Sequence, residues 1–335
     1  MERDNPIRTA PTLAGTILFC GIGLLIYLGL LIGAEWLVYR NGHMNPIFKI
    51  ERAASDYDWL ILGASHAMPL DYDDFNDELE TVTGQRVLNL AGPGAGPLYN
   101  RFALESFLAG GTTKNILYVV DSFAFRSAQW NEERLEDPKL LARTPFNPAV
   151  MGRLASYVWS EGVDPRAFLD YVSGFSKLND RDRFKRDAFE GEAQFDRVFR
   201  PSATADRKRI DYLYPPVERE RASLVRYFAT LAMLVNSARR AGATVVLAKF
   251  PLPARFRALL PDEEGFDAEL KEFAAANDLT LHDFSAAVEG QEFFADTDHL
   301  NRAGVRLLLD RHLRELLDGE QETPRGPASP AESQG

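Results

Sequence analysis

The chain has 335 residues, 45% of them apolar and 26% charged, which is enough to bury a substantial core and excludes general disorder. Its formal net charge is −11, which opposes contact with a phosphate backbone and excludes general nucleic-acid binding. The one cysteine, Cys20, rules out an internal disulfide framework and a cysteine-based zinc site.

The first element lies near the N-terminus. From Thr12 to Ala34 the chain reads TLAGTILFCGIGLLIYLGLLIGA, without a charge. About 20 such residues cross a hydrocarbon core of roughly 30 Å. Trp36 and Tyr39 follow where an aromatic interface belt would sit. A cleaved signal peptide has a shorter apolar region, roughly 7–15 residues. A lipoprotein is disfavoured because bulky Phe19 precedes Cys20 and the apolar run continues past it. The expectation is an uncleaved single-pass anchor over 12–34, preceded by a short tail of residues 1–11. Arg3 and Arg8 precede it and Arg40, Lys49 and Arg52 follow, so flanking charge does not set its orientation. Residues 35–54 read as a linker. Residues 319–335, GEQETPRGPASPAESQG, read as a disordered tail.

Between them, over 55–318, short apolar runs alternate with helical patterns. Strands are predicted at Trp59–Leu62, Arg86–Leu90, Asn115–Val120 and Thr244–Lys249, with a short fifth at Leu279–His282. All but the last are near-continuous apolar runs, the pattern of strands buried on both faces. Leu224, Tyr227, Phe228, Leu231, Leu234 and Val235 recur at helical spacing, and Gly242 is a plausible stop. Val305, Leu308, Leu309, Leu313 and Leu316 form a last helical stripe, which Asn301 could cap. The alternation predicts an α/β fold with a parallel sheet and helices on both faces, its site beyond the carboxyl ends of the strands. Residues 122–215 break the pattern. They hold 16 Lys or Arg, 15 Asp or Glu and 15 aromatics, among them Trp130, Trp159, Tyr171, Phe175 and Phe199. They read as a helical insertion after the third strand, either with a small core of its own or with an aromatic surface for sugar rings or a partner.

Two motifs carry chemistry. Gly63-Ala64-Ser65-His66 directly follows the first strand. A serine there is exposed beyond the sheet, and its own N–H, near a helix N-terminus, can face a developing oxyanion. It could equally be a helix N-cap. Asp296-Thr297-Asp298-His299-Leu300-Asn301 precedes the last helix. A neutral serine hydroxyl needs a base, histidine has a suitable pKa, and a carboxylate on its other nitrogen orients it. Asp296 can fold back onto His299 within one turn, and Asp298 is the competing orienter.

The pair of motifs resembles the SGNH hydrolase superfamily, also called GDSL-like, over about residues 57–317. The resemblance implies a flavodoxin-like three-layer α/β sandwich. It implies Ser65 as nucleophile, His299 as base and Asp296 as its orienter. The usual aspartate before the nucleophile is Ala64 here. Asn89-Leu90-Ala91-Gly92-Pro93-Gly94 is similar to the second block, whose glycine completes an oxyanion hole with the Ser65 amide; Gly94 fits best by spacing and Gly92 second. The third block departs from the pattern. Where a Gly-x-Asn-Asp is usual, the chain reads Val119-Val120-Asp121-Ser122. An ionised Asp121 cannot donate a hydrogen bond to an oxyanion, which leaves the Ser122 hydroxyl as substitute. Loss of one oxyanion donor typically costs about 10²–10³ in rate.

Gly-x-Ser-His with an N-terminal anchor is similar to the branch that O-acetylates alginate, other exopolysaccharides and peptidoglycan or D-alanylates teichoic acid. That implies a single-pass protein of the bacterial cytoplasmic membrane with its catalytic domain on the periplasmic or extracellular side. Its acceptor would be a glycan, and its partner a polytopic membrane O-acyltransferase. A carbohydrate or lipid esterase of the same fold and a catalytically inactive envelope scaffold remain as alternatives. His66 could contact substrate, stand in for the missing oxyanion donor or be a structural turn residue. His43, His282 and His312 have no evident partners. No further His/Cys/Glu spacing suggests a metal, and no cofactor is expected. Asp71, Asp73 and Asp74 read as a solvated acidic loop.

Overall fold

The computed structural model describes residues 12–187, 189–216 and 220–318. The two expected tails, 1–11 and 319–335, lie outside the described residues.

The five strands are β1 (Asp56–Leu62), β2 (Val87–Asn89), β3 (Thr112–Val119), β4 (Thr244–Lys249) and β5 (Thr280–Asp283). All four pairings are parallel, and the strand order is β2-β1-β3-β4-β5. This is the flavodoxin-like order of a doubly wound sheet. The apolar runs explain it. In β1, Trp59 and Ile61 face one layer while Leu60 and Leu62 face the other, and all four are buried. β3 and β4 divide their side chains the same way, so the central strands have no polar face.

One helical layer consists of α3 (Phe75–Thr83) and the C-terminal helix. The latter runs as α14 (Arg302–Leu308), a π-turn over Leu309–Leu313 and α15 (Arg314–Leu317). Its buried Val305, Leu308, Leu309, Leu313 and Leu316 are the predicted stripe. Asn301 caps it by accepting from the Gly304 N–H at 3.0 Å. The opposite layer consists of α4 (Pro97–Phe107), α11 (Glu220–Arg240) and α13 (Glu263–Ala276), packed on Leu60, Ile116, Tyr118, Val245 and Leu247. The short α12 (Ala254–Arg257) follows β4.

Two regions differ from the sequence reading. Residues 35–54 are not a loose linker. The apolar helix α1 runs from Leu13 to Asn41, and α2 (Pro46–Arg52) then docks with Pro46, Ile47 and Phe48 buried beside Met44. The cause is those apolar side chains: Ile47 joins a core with Leu98, Tyr99 and Phe102 of α4, and Phe48 packs against Tyr39 of α1. Between β3 and α11 stand α5 (Glu132–Leu135), α6 (Pro138–Arg143), α7 (Pro148–Ser160), α8 (Pro165–Ser173), α9 (Phe175–Asn179) and α10 (Ala203–Leu213). Several are started by an Asp or Asn cap with proline in the first turn, as at Asp137, Asn147 and Asp164. They enclose a second core of Leu135, Leu141, Val150, Leu154, Tyr157 and Tyr171 against α4. They also wall the cleft above the sheet.

Candidate active site

Ser65 lies three residues past the end of β1. Gly63, just before it, has φ +145°, and a Cβ there would stand 2.8 Å from the Val119 carbonyl oxygen on β3. Only glycine lets β1 turn so close to its neighbour. The Gly63 N–H is held by the Asn100 side-chain oxygen at 2.9 Å. The turn leads into a short 3₁₀ helix, Met68–Asp71, rather than an α-helix beginning at Ser65. The expected support of an α-helix N-terminus at this serine is therefore absent.

His299 comes from the loop before α14. Its Nε2 lies 2.8 Å from Ser65 Oγ, although the two residues are 234 positions apart. Its Nδ1 lies 2.9 and 3.0 Å from the two oxygens of Asp296. Asp296 Oδ1 also accepts the backbone N–H groups of Asp298 and His299, at 3.0 and 2.8 Å, so the loop fixes the carboxylate that faces the imidazole. Burial works against ionisation of Asp296, but His299 and these amides hold its pKa below the ordinary value. The series Asp296, His299, Ser65 can take a proton from the hydroxyl as its oxygen attacks an electrophile.

These groups open onto a cavity of about 480 Å³ lined by Pro93, Gly94, Trp130, Arg134, Tyr212 and Arg209, among others. Gly94 has φ +60°, and a Cβ there would meet the Trp130 ring at 2.5 Å. The backbone N–H groups of Ser65 and Gly94 have no acceptor among the described residues, and both residues line the cavity. They are candidate donors to an oxyanion formed on Ser65. Gly92 is spent elsewhere, since its N–H donates to the Gly63 carbonyl at 3.2 Å.

Ser122 is not at this site. Its hydroxyl contacts Tyr214 Oη at 2.7 Å and donates to Glu263 Oε2 at 2.5 Å, on the wall of a separate cavity of about 20 Å³. The 3₁₀ helix Ser122–Phe125 starts there and turns the hydroxyl toward α13. The expectation that it replaces the missing oxyanion donor is corrected.

Of the sequence readings of His66, its surroundings fit the structural one. It is buried, lines that second cavity and not the larger one, and stands between two carboxylates. Its Nδ1 donates to Asp121 Oδ1 at 2.5 Å and its Nε2 to Asp298 Oδ2 at 3.2 Å. Both nitrogens donate only in the imidazolium. Burial pushes its pKa down, but Asp121 and Asp298 outweigh that and push it up to about 10. A substrate contact through His66 is not what the geometry provides.

Asp298, 0% exposed, joins this network to the loop. Arg209 Nε, from α10, reaches its two oxygens at 2.9 and 3.1 Å, and Thr297 Oγ1 donates to it at 2.7 Å. Burial favours the neutral acid, yet His299, Arg209 and His66 hold its pKa well below the usual carboxylate range. The nearest ligand atoms of His66, Asp298 and His299 lie within 4.8 Å of one another. The set does not suit a metal ion. His66 already lies between two carboxylates, Arg209 supplies Asp298 with a cation, and both His299 nitrogens are engaged by Ser65 and Asp296.

Arg209 escaped the sequence reading. It sits in the charge-rich ADRKRIDY, where nothing marks one arginine from its neighbours. Of the other histidines, His43 does have a partner, Glu192 at 2.7 Å. Asp71 pairs with Lys49, and Asp73 and Asp74 both meet Arg302, so the acidic loop is held by cations rather than merely solvated.

No family model matches the chain, and no curated protein does. Among solved structures it is similar to a provisionally assigned acylhydrolase from Bacteroides fragilis, at 8% identity, over 79% of this chain and 86% of the other, with a TM-score of 0.39. It is also similar to a GDSL-like lipase from Bacteroides thetaiotaomicron, at 8% identity, over 81% of this chain and 94% of the other, with a TM-score of 0.40. Those names describe those two proteins, and at this distance nothing passes from them to this chain.

Proposed function

We propose that the chain is a membrane-anchored serine acyl-transfer enzyme that O-acetylates a cell-envelope or exported polysaccharide. The observation that carries the reading is the 2.8 Å contact between Ser65 Oγ and His299 Nε2, backed by Asp296 at 2.9 Å. Ser65 attacks the acyl carbonyl and its proton passes to His299. The tetrahedral oxyanion takes hydrogen bonds from the Ser65 and Gly94 amides. Collapse expels the donor's leaving group, which takes the proton from His299, and an acyl ester remains on Ser65. A glycan hydroxyl then gives its proton to His299 and attacks that ester. The second collapse returns the proton to Ser65 and releases the acylated glycan.

The cavity supports a sugar acceptor by its chemistry. Tyr212 offers an exposed aromatic face with Trp130 buried behind it, while Arg134, Glu190 and Gln194 offer polar groups for ring hydroxyls. Helix α1 supports a membrane anchor by its length and composition, and the outer side for the folded body follows from the envelope or exported acceptor this reading names. A polytopic O-acyltransferase is the donor partner this reading calls for.

The test uses the full-length protein in detergent with a small acetyl ester as donor, with and without an acidic exopolysaccharide. The reading expects acetyl groups on the polysaccharide in excess of those lost to water. Hydrolysis unaffected by any acceptor makes the protein an esterase. Neither reaction, from a folded protein, makes it a scaffold.

A further inference from the structure

Helix α1 does not stand free of the folded body. Along Leu13–Ile26 every residue is exposed. From Tyr27 onward one stripe is covered, at Tyr27, Leu31, Ala34 and Val38, with the spacing of one helix face. The covering element is the corner between α8 and α9. Tyr27 Oη donates to the Ser173 carbonyl at 2.6 Å, Leu31 abuts Gly174, and Glu35 forms an ion pair with Lys177.

The free stretch is too short to cross a bilayer. Its roughly 14 residues span about 21 Å at 1.5 Å per residue, against a hydrocarbon core of about 30 Å. The remaining length must come from the segment that ends at Ala34, before the first charge, and that segment already carries the α8–α9 corner. Side chains on this corner are apolar and open. Leu169 and Val172 lie one turn apart on α8, Phe175 begins α9, and Leu169 and Phe175 are 63% and 64% exposed. Phe146, also exposed, stacks on Tyr171 beside them, and its N–H donates to Glu35 at 3.1 Å. Behind Phe175 lies a groove of about 680 Å³ whose lining includes Asp180, paired with Arg143, Asp182, paired with Lys185, and Asp187, together with Lys139, Arg181 and Arg186.

We propose that the α8–α9 corner is a second membrane contact. Leu169, Val172 and Phe175 are immersed at the boundary between acyl chains and headgroups, and Lys139, Arg181 and Arg186 meet anionic phospholipid headgroups above them. The body then sits against the bilayer in a fixed orientation rather than hanging from a tether. This inference rests on the reading of α1 as a membrane anchor.

The experiment places nitroxide labels on the full chain in nanodiscs of phosphatidylethanolamine and phosphatidylglycerol. One label goes on the native Cys20 in α1. Others go on Leu169→Cys, Phe175→Cys and, as a control on exposed α13, Lys271→Cys, each in a Cys20→Ser background. Collision with oxygen against collision with a water-soluble nickel chelate reports depth. The expected oxygen-to-nickel ratio at positions 169 and 175 is several-fold above that at 271 and approaches that at Cys20. Ratios at 169 and 175 equal to 271, with Cys20 deep, overturn the second contact and leave the anchor standing. A shallow Cys20 overturns the anchor itself.

Discussion

Asp298 approaches Nδ1 of His299 to 3.5 Å but does not hold it. The hydrogen bonds to that nitrogen belong to Asp296, while both Asp298 oxygens are taken by Arg209, Thr297 and His66. Two aspartates two residues apart thus have separate duties. One orients the imidazole, and the other pairs with buried His66 and half-buried Arg209.

The two duties predict opposite outcomes for one kind of substitution. Asp296→Asn keeps the shape but offers His299 an amide, and the acyl-transfer rate is expected to fall by about 10³–10⁴ with the fold retained. Asp298→Asn leaves the His66 imidazolium and Arg209 short of a counter-charge. The expected loss of stability is about 3–5 kcal/mol, as for a broken buried ion pair. Urea unfolding beside steady-state rates separates the two variants.

The His66 bridge predicts a pH dependence of stability. Its folded pKa of about 10 lies above the ordinary 6.5, so the folded state holds a proton that the unfolded state releases first. Its contribution is full below about pH 6.5, declines from there, and is lost as pH rises through about 10. Asp298 acts in the other direction, and its contribution is lost as pH falls through its lowered folded pKa. The urea midpoint should fall between pH 6.5 and 10 in the native sequence and stay flatter over that window in His66→Asn.

Two glycines predict two kinds of damage. Gly63→Ala places a Cβ 2.8 Å from the Val119 carbonyl at φ +145°, inside the sheet, and is expected to cost about 1–3 kcal/mol or more. Gly94→Ala meets Trp130, a wall of the cavity, at φ +60°. Its expected stability loss is likewise about 1–3 kcal/mol or more, with a fall in activity besides, because the Gly94 amide and Trp130 shift together. Thermal melts and rates on the same preparations check both.

Much of this arrangement was legible beforehand. The central strands announce themselves because burial on both faces leaves no polar alternation, as in WLIL of β1 and VVLA of β4. β5 is short and only partly buried, so its signal was weak. The Ser65 and His299 motifs were legible because chain topology forces both to the carboxyl rim of one sheet. Ser122 was misjudged because its position in sequence does not tell which way a 3₁₀ turn aims a hydroxyl. The partners of His66 were hidden for a similar reason. Asp298 is 232 residues away and Arg209 sits on an insertion without apolar periodicity, so only the tertiary fold brings them together. The docking of residues 35–54 was missed because Met44, Ile47 and Phe48 are too few and too close to a proline to show a period.

The central claim is that Ser65 is a nucleophile activated by His299. Treating the full-length protein with a fluorophosphonate and mapping the adduct by mass spectrometry tests it most directly. The account predicts one adduct on Ser65, absent in Ser65→Ala and slowed by several orders of magnitude in His299→Ala. An unlabelled Ser65 in folded protein, or labelling indifferent to His299, would contradict it.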